Sequence, residues 1–523
     1  MTKVCLLVVL VVCLSFRSAT VAHGETELPS VIGENMVLQR ETDAPIWGWD
    51  APGTAVTVSF RGRTASAEAG EDGKWMVRVP TGAAGGPFEL AIQGTSAVNL
   101  ANVLVGEVWV AGGQSNMWWH LASCKNAREE IAAADYPDIR MWDANTHPRQ
   151  AGWSAETPQR TVKAEWKPAT PRVAGNFPGV PYFFARELRD RLDVPVGIVH
   201  IAVPGSAIEP WLSEEFGRAH MPQLFGYWEC RKRMYPDEVK QHEQALKAWE
   251  EQSAAAEAEG RQAPAKPEPP REPGGAPTGG FCNGMVLPTA PYAARGFIWW
   301  QGESNASRAL QYQVLFPALI EEWRYWWGMP DAPFLFVELA EFLAEQRNPV
   351  EDDPWPALRD AQRVALRLAN TCMISTIDIF EPGESVNNIH PPNKQLAGLR
   401  LCLAAMANVY GERDLVWSGP LYRSAEFTGG KAVVSFDHVG GGLTAKDGAG
   451  LTGFALAGPD RQWHWADARV VGDTVELTCD AAKEPVAARY DWANNPIGNL
   501  YNREGLPAFP FRTDDWLLMM KGR

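Results

Sequence analysis

Residues 106–119 read GEVWVAGGQSNMWW. The apolar run Val108–Val110 ends in Ala111, Gly112 and Gly113, and polar Gln114, Ser115 and Asn116 follow at once. A strand that ends in small residues can present a hydroxyl at the carboxyl edge of a parallel sheet, where α/β proteins gather their chemistry. Outward from this stretch, apolar runs recur as VPVGIVHIAV (194–203), GFIWWQG (296–302), PFLFVEL (333–339) and CMISTID (372–378). Between them lie amphipathic stretches such as YFFARELRDRL (182–192) and LFPALIEEWRYWW (315–327). Buried strands alternating with helices predict a parallel-sheet α/β unit over residues 106–417.

The flanks have a different rhythm. APIWGWDA (44–51), AVTVSFRG (55–62), KWMVRVP (74–80) and FELAIQG (88–94) are short β-type runs parted by Gly, Asp and Pro turns, which predicts a β-rich N-terminal domain over 23–105. KAVVSFDHV (431–439), GFALAG (453–458) and ARVVGDTVELTC (468–479) predict a second β-rich domain over 418–523. Residues 237–256 are rich in Ala, Glu and Lys and precede the Pro/Gly segment 261–280, so a helical and Pro-rich surface insertion is expected near 236–280. MTKVCLLVVLVVCLSFRSATVA (1–22) has the Lys, short apolar run and small-residue end of a cleaved signal peptide. A secreted or periplasmic protein is expected, with no other membrane segment.

Against 48 Lys and Arg stand 63 Asp and Glu, a net charge of −15, which disfavours nucleic acid and anionic membranes as partners. The 23 Trp suit a protein that stacks on sugar rings, and equally one with aromatic cores. After the signal segment six cysteines remain, irregularly spaced, with neither CxxC nor HExxH, so no metal site is expected. Their pairing and the oligomeric state are not legible from sequence.

Three polar constellations could carry chemistry. Ser115 after VWVAG is a candidate nucleophile, the alternative being a turn serine that caps a helix. No GxSxG occurs, and Met117 stands where that motif needs glycine, so the nucleophile-elbow hydrolase reading fails. His390, in IHPPNKQLAG (389–398), stands between a loop and a helix and could swing to a distant nucleophile or be simply structural. Gln301, Gly302, Glu303, Ser304 and Asn305 follow the apolar strand GFIWW; they could supply oxyanion donors or satisfy one another.

These strings, with ENMVLQR (34–40), PIWGWDAPG (45–53), PGSAIEPW (204–211), NGM (283–285), ALRDAQ (357–362), SGPLY (418–422) and the run 489–516, resemble the sialate O-acetylesterase family of SGNH hydrolases over nearly the whole mature chain. The resemblance implies an SGNH-type three-layer α/β/α parallel-sheet core. It implies a serine esterase acting on O-acetylated carbohydrate without a cofactor, with Ser115 as nucleophile and His390 as general base. It further implies an oxyanion hole from the N–H groups of Ser115 and Gly205 and the Gln301 side chain, with Gln114, Glu303 and Asn305 shaping the substrate pocket. Related sequences commonly carry Asp shortly before the histidine, where this chain has Asn387 and Asn388. Asn388 is the expected third catalytic member, with Asp378, or less readily Glu381 or Glu384, as a substitute carboxylate. Two other readings stay open: an acetylesterase of plant or algal polysaccharide, and a weakened carbohydrate-binding homologue.

Overall fold

The computed structural model describes residues 25–144, 154–270, 272–273, 276–350, 353–448 and 450–518. The expected signal peptide at 1–22 lies outside the described residues.

The organising strand is β1 (Ala97–Gly113). It is joined by β2 (Tyr136–Asp143), β3 (Trp166–Ala169), β4 (Val196–Ala202), β5 (Gly296–Trp300), β6 (Phe334–Val337) and β7 (Thr371–Ile374). The order is β7-β6-β5-β1-β4-β2-β3, parallel throughout except for the β2–β3 pair. β4, β5 and β6 are buried along their whole length, which is why they read as unbroken apolar runs rather than as alternating ones.

Helices cover both faces. On one, α2 (Gly179–Leu192) and α4 (Lys394–Asn408) pack against Trp109, Ala111, Ile198 and Ile298. On the other, α3 (Ala309–Trp327) lies over Val110, Phe297 and Trp299. Its buried residues Tyr312, Leu315, Phe316, Leu319, Ile320, Trp323 and Trp327 recur at helical spacing, each contributing roughly 2 kcal/mol of apolar burial. Gly328, at φ +66°, closes the helix. The three-layer α/β/α core is thus the architecture expected from sequence.

The first half of β1 belongs to the N-terminal β region: Leu104–Gly106 pair with Val37–Gln39, and Ala97–Val105 pair with Gly85–Gln93. From Glu107 onward the same strand pairs with β4. C-terminally, Leu421–Thr428, Lys431–Asp437, Thr474–Thr478 and Asp467–Val471 form one antiparallel sheet. A second contains Phe454–Ala457 and Ala487–Tyr490, and both contribute to one core around Val434, Phe454 and Phe511. The insertion differs from expectation at its start. A 37-residue helix runs from Pro222 to Ala258, straight through Pro236, and buries only Phe225 and Ala256. Proline removes an interior hydrogen bond, yet the surrounding helix formers carry the helix through this one. Among the described residues, no helix is long and apolar enough to cross a membrane.

Candidate active site

Gly113 pairs with Ala202 of β4 on one side and Trp300 of β5 on the other. The segments following these three strands, Gln114–Asn116, Val203–Ser206 and Gln301–Asn305, therefore leave the sheet side by side where strand order reverses. A side chain at Gly113 would meet the Trp300 carbonyl at 2.1 Å, and its φ of +140° suits only glycine. Directly after it, Gln114 caps α1 (Ser115–Trp118), a single helical turn headed by Ser115. In the neighbouring loop Gly205 is exposed, at φ +71°, with open space where a side chain would stand. Glycine there leaves the backbone N–H approachable.

His390 comes from farther away, in the loop between β7 and α4. Pro391 and Pro392, which have no N–H to donate, precede the helix, and the Asn393 side chain caps α4 by accepting from the Leu396 N–H. Several bonds draw the loop across three strands to α1. Asn116 Nδ2 donates to the Ile389 carbonyl at 3.1 Å, the Lys125 N–H to Pro392 at 2.8 Å, and Gln395 Nε2 to the Lys125 carbonyl at 2.5 Å. The imidazole of His390 then stacks on Trp119, ring centres 4.4 Å apart and planes 19° from parallel. Burial first, and the charge of Lys394 second, push its pKa down to about 4. At neutral pH the ring is thus uncharged and able to take a proton.

A polar knot lies beside Ser115. Asn116 Nδ2 donates to Glu303 Oε1 at 2.6 Å, and Asn116 Oδ1 accepts from Lys394 Nζ at 2.5 Å. The Lys394 ammonium lies 4.3 Å from the centre of the Trp300 ring. Burial drives Lys394 down to about 7 against the opposing pull of Cys124 and Glu303. Burial likewise raises the Glu303 carboxyl, while Asn116 and Lys394 act in the other sense.

The structure brings Ser115, Gly205, Gln301, Gln114, Glu303, Asn305 and His390 to one sheet edge, and it changes what several of them do. Gln301, expected as a free oxyanion donor, has both amide protons committed: to Ser206 O at 3.2 Å and Asn305 Oδ1 at 2.8 Å. The Tyr312 hydroxyl donates to its Oε1 at 2.9 Å, and Gln362 Nε2 to its main-chain carbonyl at 3.1 Å. Asn305, expected in the pocket, rivets two loops together: Oδ1 accepts from the Ile208 N–H and Nδ2 donates to Glu209. Gln114 Oε1 accepts from the N–H groups of Gly302 and Ser304, each at 3.4 Å. Asn388, expected on the imidazole, accepts instead from the main-chain N–H of His390 at 2.9 Å. Asp378 is held by Arg400 at 2.6 and 2.9 Å and by the Tyr501 hydroxyl at 3.2 Å.

Sequence reasoning missed Lys394, Trp119, and the pair formed by His200 on β4 and Asp143 on β2, joined at 2.7 Å. The one available signal was a histidine inside the apolar run VPVGIVHIAV, a polar group that must find a partner if buried.

Comparison with known proteins gives the relatives of the whole chain. A family model described as carbohydrate esterase, sialic acid-specific acetylesterase, matches residues 105–255 and 286–405. Sialate O-acetylesterases of Pongo abelii and Homo sapiens are 29% and 28% identical, each over 92% of this chain and 91% of their own length. The crystal structure of a novel carbohydrate acetylesterase from Xanthomonas citri is 38% identical, with a TM-score of 0.76 over 94% of this chain and 100% of that one.

Proposed function

The chain belongs to the sialic acid-specific acetylesterase family of carbohydrate esterases, and from that premise we propose that it deacetylates O-acetylated sialic acid through an acetyl-enzyme on Ser115. That it is a carboxylic ester hydrolase removing O-acetyl groups from carbohydrate follows from the same kinship. The observation that carries the mechanism is the convergence of the Ser115 turn, the Gly205 loop and the His390 loop at one edge of the parallel sheet.

A serine hydroxyl is too weak an acid to attack an ester unaided, so neutral His390 accepts its proton while Ser115 Oγ bonds to the acetyl carbonyl carbon. The oxyanion is stabilised by the main-chain N–H groups of Ser115 and Gly205. Gln301 contributes through the loop: by holding Ser206 O it fixes the backbone next to Gly205. Collapse breaks the bond to the sugar oxygen, which leaves with the proton from His390. Water then gives His390 a proton as it attacks the acetyl-enzyme, and acetate and free Ser115 result. The signal-like segment 1–22 supports export, and the substrate is carbohydrate, met outside the cytoplasm.

The test is acetate release from O-acetylated sialic acids, acetylated xylan and acetylated pectin side by side, for wild type and Ser115→Ala. Turnover of the sialate, lost in the variant, is expected. Turnover of a polysaccharide alone would overturn the substrate and leave the reaction class standing.

A further inference from the structure

The histidine of a serine hydrolase ordinarily has a carboxylate on its far nitrogen, which orients the ring and stabilises the imidazolium formed during attack. In this chain the carboxylates of the loop that carries the histidine are engaged elsewhere, and Glu303, held on Oε1 by Asn116, is pushed by burial toward its neutral form. Asp378 is bound by Arg400 and Tyr501, Glu381 pairs with Lys125 at 2.5 Å, and Glu384 accepts from the Glu381 N–H at 3.1 Å. Asn388 serves the main chain, and among the described residues no carboxylate is hydrogen-bonded to the His390 ring. Lys394, on the helix packed behind the ring, opposes a positive charge there.

One group does meet the imidazole face to face. The Trp119 indole stacks on it at 4.4 Å, within the range at which an aromatic face attracts a cation. That indole is itself firmly placed: Nε1 donates to the Ser123 carbonyl at 2.9 Å, and its own carbonyl accepts from the Gly179 N–H at 2.7 Å. Gly179 stands at the start of α2, where an added Cβ would lie 2.5 Å from Cys124 Sγ, so the two segments pack there more closely than any side chain at this position would allow.

We propose that Trp119 takes the place of the missing acidic partner, orienting the His390 ring by stacking and stabilising its protonated form through the indole π face. This rests on His390 being the general base. Trp119 is then a positioning residue, acting on turnover and not on sugar affinity.

The experiment compares Trp119→Phe and Trp119→Leu with wild type in kcat, KM and the pH dependence of kcat, alongside thermal unfolding and His390→Ala. Trp119→Leu should lower kcat by roughly 10- to 30-fold with KM little changed, and Trp119→Phe should recover part of the loss. Because Phe and Leu keep an apolar cover over the ring while weakening or losing the π face that favours imidazolium, the pKa of the base should fall, and the acidic limb of the profile should move to lower pH in the order Trp, Phe, Leu. Equal losses in both variants with an unmoved limb would overturn the inference and reduce Trp119 to packing. Inactive His390→Ala beside unimpaired Trp119→Leu would do the same while sparing the mechanism. Active His390→Ala would sink the mechanism itself, and the inference with it.

Discussion

Lys394 donates to the side-chain oxygen of Asn116 at 2.5 Å, and both side chains are sealed from solvent. The bond joins the residue after Ser115 to the helix that begins just beyond His390. Lys394 lowers the pKa of His390, so removing the cation should raise it. In Lys394→Met the acidic limb of the kcat/KM profile should therefore move to higher pH, by roughly one unit. An unmoved limb would mean that the ring does not feel the amine.

The same residue governs stability. Its folded-state pKa, about 7, lies below the ordinary lysine value of 10.5, so between those values the unfolded chain holds more protons. Stability from this group thus rises as pH climbs through that window and is absent below it. Urea midpoints at pH 7 and pH 9 should differ less in Lys394→Met than in wild type.

Ser115→Ala should abolish acetate release and leave the melting temperature unchanged, because Ser115 heads a short turn and accounts for none of the hydrogen bonds that draw the loops together. Residual activity near wild type would remove Ser115 from the mechanism.

Gln301→Leu separates a hub from a direct donor. The substitution removes the side-chain bonds to the Ser206 carbonyl, to Asn305 Oδ1 and from the Tyr312 hydroxyl, each worth about 0.5–1.5 kcal/mol, so kcat and thermal stability should fall together. A fall of about 10²-fold in kcat with stability intact would instead restore Gln301 as the oxyanion donor.

For Asn388, an aspartate keeps the acceptor that holds the His390 N–H, whereas alanine loses it. Asn388→Asp should hold kcat within about threefold of wild type, and Asn388→Ala should lower it more, through a looser turn. A large gain in Asn388→Asp would place this side chain on the ring after all.

How far the sequence reached depended on what kind of fact was asked of it. Buried parallel strands announce themselves as apolar runs, and Ser115, Gly205 and His390 each sit at the end of such a run or at a loop-to-helix border. Their meeting follows from strand order, which periodicity does not contain. Lys394 is the clearest loss: four residues after a histidine, at the start of a helix, a lysine reads as a solvated side chain, and only tertiary packing makes it a buried cation over Trp300. Gln301 fails differently. Its identity and neighbourhood were legible, but who receives an amide proton is settled by partners 95 residues away, here the Ser206 carbonyl.

The long strand ending at Gly113 has a consequence for anyone wishing to shorten this molecule. Residues 97–105 are bonded into one β layer and 107–113 into another, so the two cannot swing or be traded as separate modules. A cut before residue 97 leaves Val103, Leu104 and Val105 without the strands that hide them and turns the head of the catalytic sheet into an open, apolar edge. Such an edge invites association with other chains, so a trimmed protein would be threatened first by clumping, well before any loss of its chemistry.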